Sequence, residues 1–87
     1  MREHITQIIN EWNPIDIYPL LADEYSIEVQ KVLEMLDLTT TVDELAHQLF
    51  HVFTVYFEED FSKSVNDCTV IAQKIIDLKV KKNELKE

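Results

Sequence analysis

The sequence predicts an all-α protein, a small four-helix bundle-like domain with an ordered proline-containing loop between helices 1 and 2. Three observations predict this class. Apolar residues recur at helical spacing in four segments, no alternating strand pattern is bounded by hairpin residues, and glycine, which builds tight hairpins, is absent from the 87 residues. A chain of this length buries one core, so we expect a single domain over residues 1–87.

The first two helices flank a loop with two prolines. Helix 1 is predicted over about residues 2–12, whose apolar residues share one face: Ile5, Ile8, Ile9 and Trp12. Pro14 ends this helix, because the residue before a proline is pushed out of helical conformation. Helix 2 is predicted over about residues 26–37, with Ser26 as its N-cap and Glu28 in its first turn, where the helix dipole favours an anion.

The last two helices begin at capping boxes. Thr41 with Glu44 predicts the start of helix 3, over about residues 42–57. Ser62 or Ser64 is expected to cap helix 4, over about residues 64–82, with Asp67 as the capping-box partner of Ser64. The core stripe of helix 3 is Val42, Leu45, Ala46, Leu49, Phe50, Val52, Phe53, Tyr56 and Phe57.

The net charge of −9 is unevenly distributed along the chain. Residues 1–62 carry thirteen acidic side chains against Arg2 and Lys31, a net of −11, whereas residues 63–87 carry four acids against six lysines, a net of +2. Nucleic-acid binding needs Lys and Arg to neutralise phosphates, so we expect no nucleic-acid partner. A basic protein partner is compatible with this charge, although an acidic surface can also serve only to keep a protein in solution.

Several classes of protein are excluded by composition. Walker loops, dinucleotide fingerprints and nucleophile elbows need glycine where the backbone approaches a phosphate or takes positive φ. Cys68 is the only cysteine, so no intrachain disulfide is possible, and we expect Cys68 to be a small core residue in a reducing compartment. The N-terminus has no signal-peptide pattern, and no apolar segment reaches the length of a membrane span, so we predict a cytoplasmic protein. We also predict that it has no cofactors.

Two histidines are the only weak candidates for a metal site. His47 and His51 are four residues apart on helix 3, a spacing that can present two imidazoles to one ion. Both face away from the apolar stripe, on the same side as Glu44 and Glu58, which leaves an incomplete and unburied ligand shell. We therefore predict no metal and no catalytic residues. The acidic turn from Glu58 to Asp60 lacks the glycine of a calcium loop and is expected to be solvated.

The loop between helices 1 and 2 is the predicted interaction surface. It is too apolar to be left unpacked, so it either joins the core or presents a binding surface. The candidate residues are Trp12, Pro14, Ile15, Tyr18, Pro19, Asp23, Glu24 and Tyr25. Val55 and Val70 also fall outside the apolar stripes, as a self-association surface or as harmless exposed residues.

The chain also resembles a known family. The resemblance rests on this set: Trp12-Asn13-Pro14-Ile15, Pro19, Asp23-Glu24-Tyr25, Val42, Glu44-Leu45-Ala46, Val52-Phe53 and Cys68 to Ala72. This pattern is similar to the YugE-like family of small bacillus proteins, a domain of unknown function. Its members more often have Asp at the site of Asn13 and Asp-Pro at Ser26-Ile27. The resemblance implies a bacterial, cytosolic, helical protein and brings no activity with it.

Three functions are compatible with the sequence. The leading hypothesis is a non-enzymatic protein-interaction module that binds itself, as a homodimer, or another protein. The alternative is an acidic inhibitor or immunity-type protein that is steered onto a basic partner. A weaker alternative is a metal-binding or hydrolytic protein that uses His47 and His51.

Overall fold

The described part of the chain folds into four α-helices, as the sequence predicts. A computed structural model describes residues 2–21, 23–36 and 40–85. No described residue is in a β-strand, so the all-α prediction is confirmed. The helices are α1 (Arg2–Trp12), α2 (Ser26–Met35), α3 (Val42–Phe57) and α4 (Val65–Leu85), and a 3₁₀-helix (Glu58–Asp60) follows α3.

Helix α2 begins at Ser26, within the predicted range, but its N-cap is not the predicted residue. Ser26 is not its N-cap, since that position belongs to Tyr25, whose side chain makes no capping hydrogen bond. The Ser26 N–H instead donates to the Asp23 carbonyl at 3.1 Å, in a turn that leads directly into the helix. Met35 is its last residue and Leu36 has extended backbone. Residue 37, where we predicted the end of this helix, lies outside the described residues.

Both predicted capping boxes are present. The Glu44 N–H donates to Thr41 Oγ1 at 3.1 Å, and the Thr41 N–H donates to Glu44 Oε1 at 3.2 Å. Ser64, not Ser62, caps α4, because the Asp67 N–H donates to Ser64 Oγ at 3.1 Å and the Ser64 N–H donates to Asp67 Oδ2 at 2.9 Å. Asp67 Oδ2 also accepts from the Ser64 hydroxyl at 3.1 Å, and the bonds it accepts from the Ser64 N–H and hydroxyl lower the pKa of Asp67.

The helices pack in the cyclic order α1, α2, α3, α4. Helix α3 contacts α2 and α4, and α1 contacts the same two helices from the other side. Phe53 of α3 is fully buried between them, and its ring contacts those of Trp12, Tyr25, Phe57 and Phe61. The predicted stripe of α3 is buried or half-buried except for Tyr56, which is exposed. None of the helices in the described part of the chain has the length and hydropathy of a membrane span.

Candidate interaction surface

The loop between α1 and α2 starts where Asn13 ends α1. Asn13 has left-handed backbone (φ 45°), and its N–H donates to the Ile9 carbonyl at 2.8 Å. Asp16 is also left-handed (φ 52°), and its N–H donates to the Asn13 carbonyl at 2.9 Å. After glycine, Asn and Asp tolerate this conformation best. The chain therefore reverses tightly here without glycine.

A buried hydrogen bond between Asn13 and Tyr25, with part-buried bonds around it, ties the two ends of the loop together. The Tyr25 hydroxyl donates to Asn13 Oδ1 at 2.5 Å, and the Ile15 N–H donates to the Tyr25 hydroxyl at 3.4 Å. Ile17 bonds to the Asn13 amide twice, since its N–H donates to Oδ1 at 3.1 Å and its carbonyl accepts from Nδ2 at 3.0 Å. Burial raises the pKa of Tyr25, and the Glu24 charge adds to this, so the hydroxyl stays a donor. We call these residues the Asn13–Tyr25 cluster.

Aromatic contacts anchor the same loop ends in the core. The Tyr25 ring packs edge-on against Phe53 and Phe57, with centroids 6.0 and 5.9 Å apart. Trp12 packs edge-on against Phe53 at 5.5 Å and Phe61 at 6.1 Å. Pro14 is also fully buried. Of the predicted surface residues, Pro14 and Tyr25 therefore lie in the interior, while Trp12 and Ile15 are half-buried.

The middle of the loop is exposed. Tyr18 is 81% exposed and is joined by a cis peptide bond to Pro19, which is also exposed. Leu21 and Ile27 are each 60% exposed, although the sequence prediction named neither of them as a surface residue. The position of Ile27 off the buried stripe of α2 was the available signal. We define the loop surface as Tyr18, Pro19, Leu21, Asp23, Glu24 and Ile27.

The acidic end of the loop surface is formed by two consecutive turns. The Glu24 N–H donates to the Leu21 carbonyl at 3.2 Å, and the Ser26 N–H donates to the Asp23 carbonyl at 3.1 Å. The carboxylates of Asp23 and Glu24 are exposed, and no cation of the described residues lies within 4.0 Å of either. The loop surface therefore combines exposed apolar side chains with two unpaired negative charges.

The two candidate histidines lie on the surface of α3. His47 Nδ1 is 2.8 Å from the Asp43 carbonyl oxygen and 3.8 Å from Asp43 Oδ1. His51 is exposed one turn later. Within residues 2–21, 23–36 and 40–85, no group of three His, Cys, Asp or Glu side chains is arranged to hold a metal ion. The acidic turn of Glu58 to Asp60 is exposed as well, and Glu58 has left-handed backbone (φ 48°).

Cys68 and Glu28 are buried ionisable side chains, as are Tyr25 and Lys79. Cys68 is fully buried, as predicted, and burial with the neighbouring Asp67 charge raises its pKa to about 11. Glu28 is only 4% exposed, and its Oε1 accepts no hydrogen bond from the described residues. Burial raises the pKa of Glu28, and the charge of Glu24 raises it further. The sequence pattern had predicted only a dipole interaction for Glu28 and had missed its burial.

Among the described residues, open grooves lie between α1 and α4 and between α2 and α3. The groove between α1 and α4 has a volume of about 350 Å³ and is lined by mixed polar and apolar residues: His4, Gln7, Ile8, Glu11, Lys74, Asp77 and Leu78. The groove between α2 and α3 has a volume of about 290 Å³ and is lined by Lys31, Glu34, Met35, His51, Val52, Val55 and Tyr56.

Comparison with known proteins gives a family without an activity. A family model described as a domain of unknown function, DUF1871, matches residues 4–83. No curated protein matches the chain, and no solved structure matches it.

Proposed function

Because the chain belongs to the DUF1871 family, whose description assigns no activity, we propose a function from its surface. The protein is a non-enzymatic interaction module that binds a basic, partly apolar segment of another protein in the bacterial cytoplasm. One observation carries the proposal: Tyr18 is 81% exposed on a loop whose two ends are fixed in the core. A closer relationship to the YugE-like proteins is part of the same proposal.

Fixed loop ends favour binding because they reduce the entropy lost on association. A mobile loop would have to be ordered when a partner binds, whereas the Asn13–Tyr25 cluster orders this loop in the free protein. Tyrosine also suits such a surface, since its ring buries a large area and has few rotatable bonds. Exposed Tyr18 and Leu21 are therefore the expected anchors of the interface.

Charge favours a basic partner over a second copy of this chain. Asp23 and Glu24 lie in the chain between the apolar residues Leu21 and Ile27 of the loop surface, within a segment of net charge −11. Two copies that met through this surface would bring like charges together, which is destabilising. A partner with Lys or Arg around an apolar residue would instead be steered towards it.

The acidic-inhibitor hypothesis is a special case of this proposal. If the partner is an enzyme, binding of the loop surface should lower its activity, and the loss should weaken as salt screens the charges. If the partner is not an enzyme, the protein is a scaffold or adaptor. His47 and His51 take no part in either version.

Site-specific photo-crosslinking tests the proposal in bacillus cells. Tyr18 is replaced by the photoreactive residue p-benzoylphenylalanine, and Val70, which is also exposed (59%), is replaced in a control. We expect a covalent adduct with a different protein from position 18 and none from position 70. Tryptic mapping should locate the adduct in a Lys-rich or Arg-rich segment of that protein.

Affinity measurements with the captured protein complete the test. Tyr18→Ser combined with Leu21→Ser should weaken binding about tenfold or more, because both anchors are lost. Val70→Ser should leave the affinity unchanged. An adduct between two copies of this chain, or no adduct at position 18, would refute the proposal.

A further inference from the structure

The groove between α2 and α3 is mainly apolar and slightly smaller than a typical small-ligand pocket. Its volume of about 290 Å³ is close to the lower end of ligand pockets, which span about 300 to 1,000 Å³. Met35 forms part of one wall, and Val52, Val55 and Tyr56 form the other. Val55 is 56% exposed, so apolar area at this groove is left in contact with water.

A lysine stands at the edge of this apolar groove. Lys31 of α2 is exposed and is one of two basic residues in a segment that carries thirteen acidic ones. None of the carboxylates in the described part of the chain lies within 4.0 Å of its Nζ. His51 lines the opposite wall and offers a second polar side chain that can donate a hydrogen bond. Glu34, on the same helix as Lys31, is the one acidic residue of the lining.

We propose that this groove binds a small amphipathic monocarboxylate, a molecule with one carboxylate at the end of an apolar tail. The carboxylate pairs with the Lys31 ammonium, and the tail covers Met35, Val52 and Val55. Glu34 repels a second negative charge, so dicarboxylates and phosphate esters are disfavoured. The site uses none of the residues of the loop surface, and its test is therefore independent of the proposed function.

Octanoate is the probe for the experiment, with octanol and octylammonium as tail-matched comparisons. Titration into the ¹⁵N-labelled full chain is followed by amide chemical shifts. We expect saturable shifts at Lys31, Met35 and Val55. The dissociation constant of octanol should be about fivefold larger than that of octanoate, because octanol lacks the ion pair and an exposed ion pair contributes only about that factor to affinity. Octylammonium should bind more weakly than octanoate, since Lys31 repels the ammonium and attracts the carboxylate.

Two variants separate the charge from the apolar walls. Lys31→Gln should weaken octanoate binding about fivefold and leave the affinity for octanol unchanged. Lys74→Gln, on the wall of the other groove, is the matched control and should change neither. Val55→Ser should weaken octanoate and octanol alike, because it removes apolar contact from the tail. Both altered positions in the groove are exposed, so the fold should persist, and Trp12 fluorescence checks this.

Several results would overturn the proposal. Equal affinities for octanoate and octanol, or an unchanged octanoate affinity in Lys31→Gln, would show that no carboxylate is recognised. Shifts confined to the α1–α4 groove would place the ligand elsewhere. The absence of saturable shifts at millimolar octanoate would show that this groove does not bind the class at all.

Discussion

Asn13 offers the sharpest test of what orders the loop between α1 and α2. Its side chain makes three hydrogen bonds, accepting from the Tyr25 hydroxyl and the Ile17 N–H and donating to the Ile17 carbonyl. The Asn13 backbone is left-handed, and the residue is only 6% exposed. Three replacements separate these contributions: Asn13→Gly, Asn13→Ala and Asn13→Asp.

The expected loss of stability differs among the three variants. Asn13→Gly keeps the backbone conformation and loses three hydrogen bonds of about 1 kcal/mol net each, so we expect a loss of about 3 kcal/mol. Asn13→Ala loses the same bonds and adds a left-handed penalty of about 1 kcal/mol, for about 4 kcal/mol in total. Asn13→Asp keeps both bonds accepted at Oδ1 and should lose least, about 1 to 2 kcal/mol.

Urea unfolding followed by Trp12 fluorescence measures these losses. Trp12 packs against Phe53 and Phe61, so its emission reports the loss of the core. A small domain has a total stability of about 5 to 15 kcal/mol, so differences of this size shift the unfolding midpoint clearly. Tyr25→Phe is the partner variant, and it should cost about 1 to 2 kcal/mol by removing one side of the shared bond.

The order of stability among the three Asn13 variants shows which contribution matters most. Equal stability of Asn13→Gly and Asn13→Ala would show that the left-handed backbone imposes no penalty. Losses below about 1 kcal/mol in all three would show that the buried hydrogen bonds contribute almost nothing net. Asn13→Asp as the least stable variant would show that burying the charge outweighs the two retained bonds.

Three further predictions concern ionisable groups and strain. Burial, with the nearby Glu24 charge, raises the pKa of Glu28 above its ordinary value of 4.5, so the folded protein binds more protons than the unfolded chain as pH rises through that region. The unfolding free energy should therefore fall as pH rises above 4.5, and Glu28→Gln should remove this fall; parallel pH profiles for the two proteins would contradict it. The buried Cys68 thiol, with its pKa raised to about 11, should react with a thiol reagent only through unfolding, and labelling in a single fast phase under native conditions would be incompatible with this. Glu58 has φ 48° and ψ −120°, a combination that favours glycine. Glu58→Gly should therefore raise the free energy of unfolding, measured with urea, by about 1 kcal/mol. A destabilised variant would argue against backbone strain at this residue.

Helix boundaries were predictable where the determining contacts are local. Thr41 with Glu44 and Ser64 with Asp67 each form a reciprocal pair within one turn, so both partners can be found within a few residues of sequence. The prediction failed at Ser26, which also has a hydroxyl in a suitable position. The Tyr25 carbonyl already accepts the first helical hydrogen bond, from the Val29 N–H at 2.9 Å, so the helix starts one residue earlier than a cap at Ser26 would place it, and nothing in the residue type of Tyr25 signals this.

Burial was predictable for the helix stripes and not for single residues at their margins. Tyr25 was predicted as a surface residue, but its ring contacts Phe53 and Phe57, which lie on a helix remote in sequence. Glu28 is in the first turn of its helix, where the helix dipole also stabilises a carboxylate that is exposed, so its position in the sequence does not indicate burial. Its burial depends on how α2 lies against its neighbours, and helix packing angles are not encoded in the apolar period of one helix.

The interior position of Pro14 and Tyr25 strengthens the case for the remaining part of the loop. A loop that exposed all its apolar residues would be mobile, and its binding would lose much of its gain to ordering. Here the residues at the ends of the loop are packed in the core, so the exposed Tyr18 is presented from an ordered backbone. Loss of the Asn13–Tyr25 cluster should therefore weaken partner binding without removing any contacting side chain. Asn13→Gly, measured at low urea where it is still folded, should reduce the affinity of the crosslinked partner, whereas Val70→Ser should not.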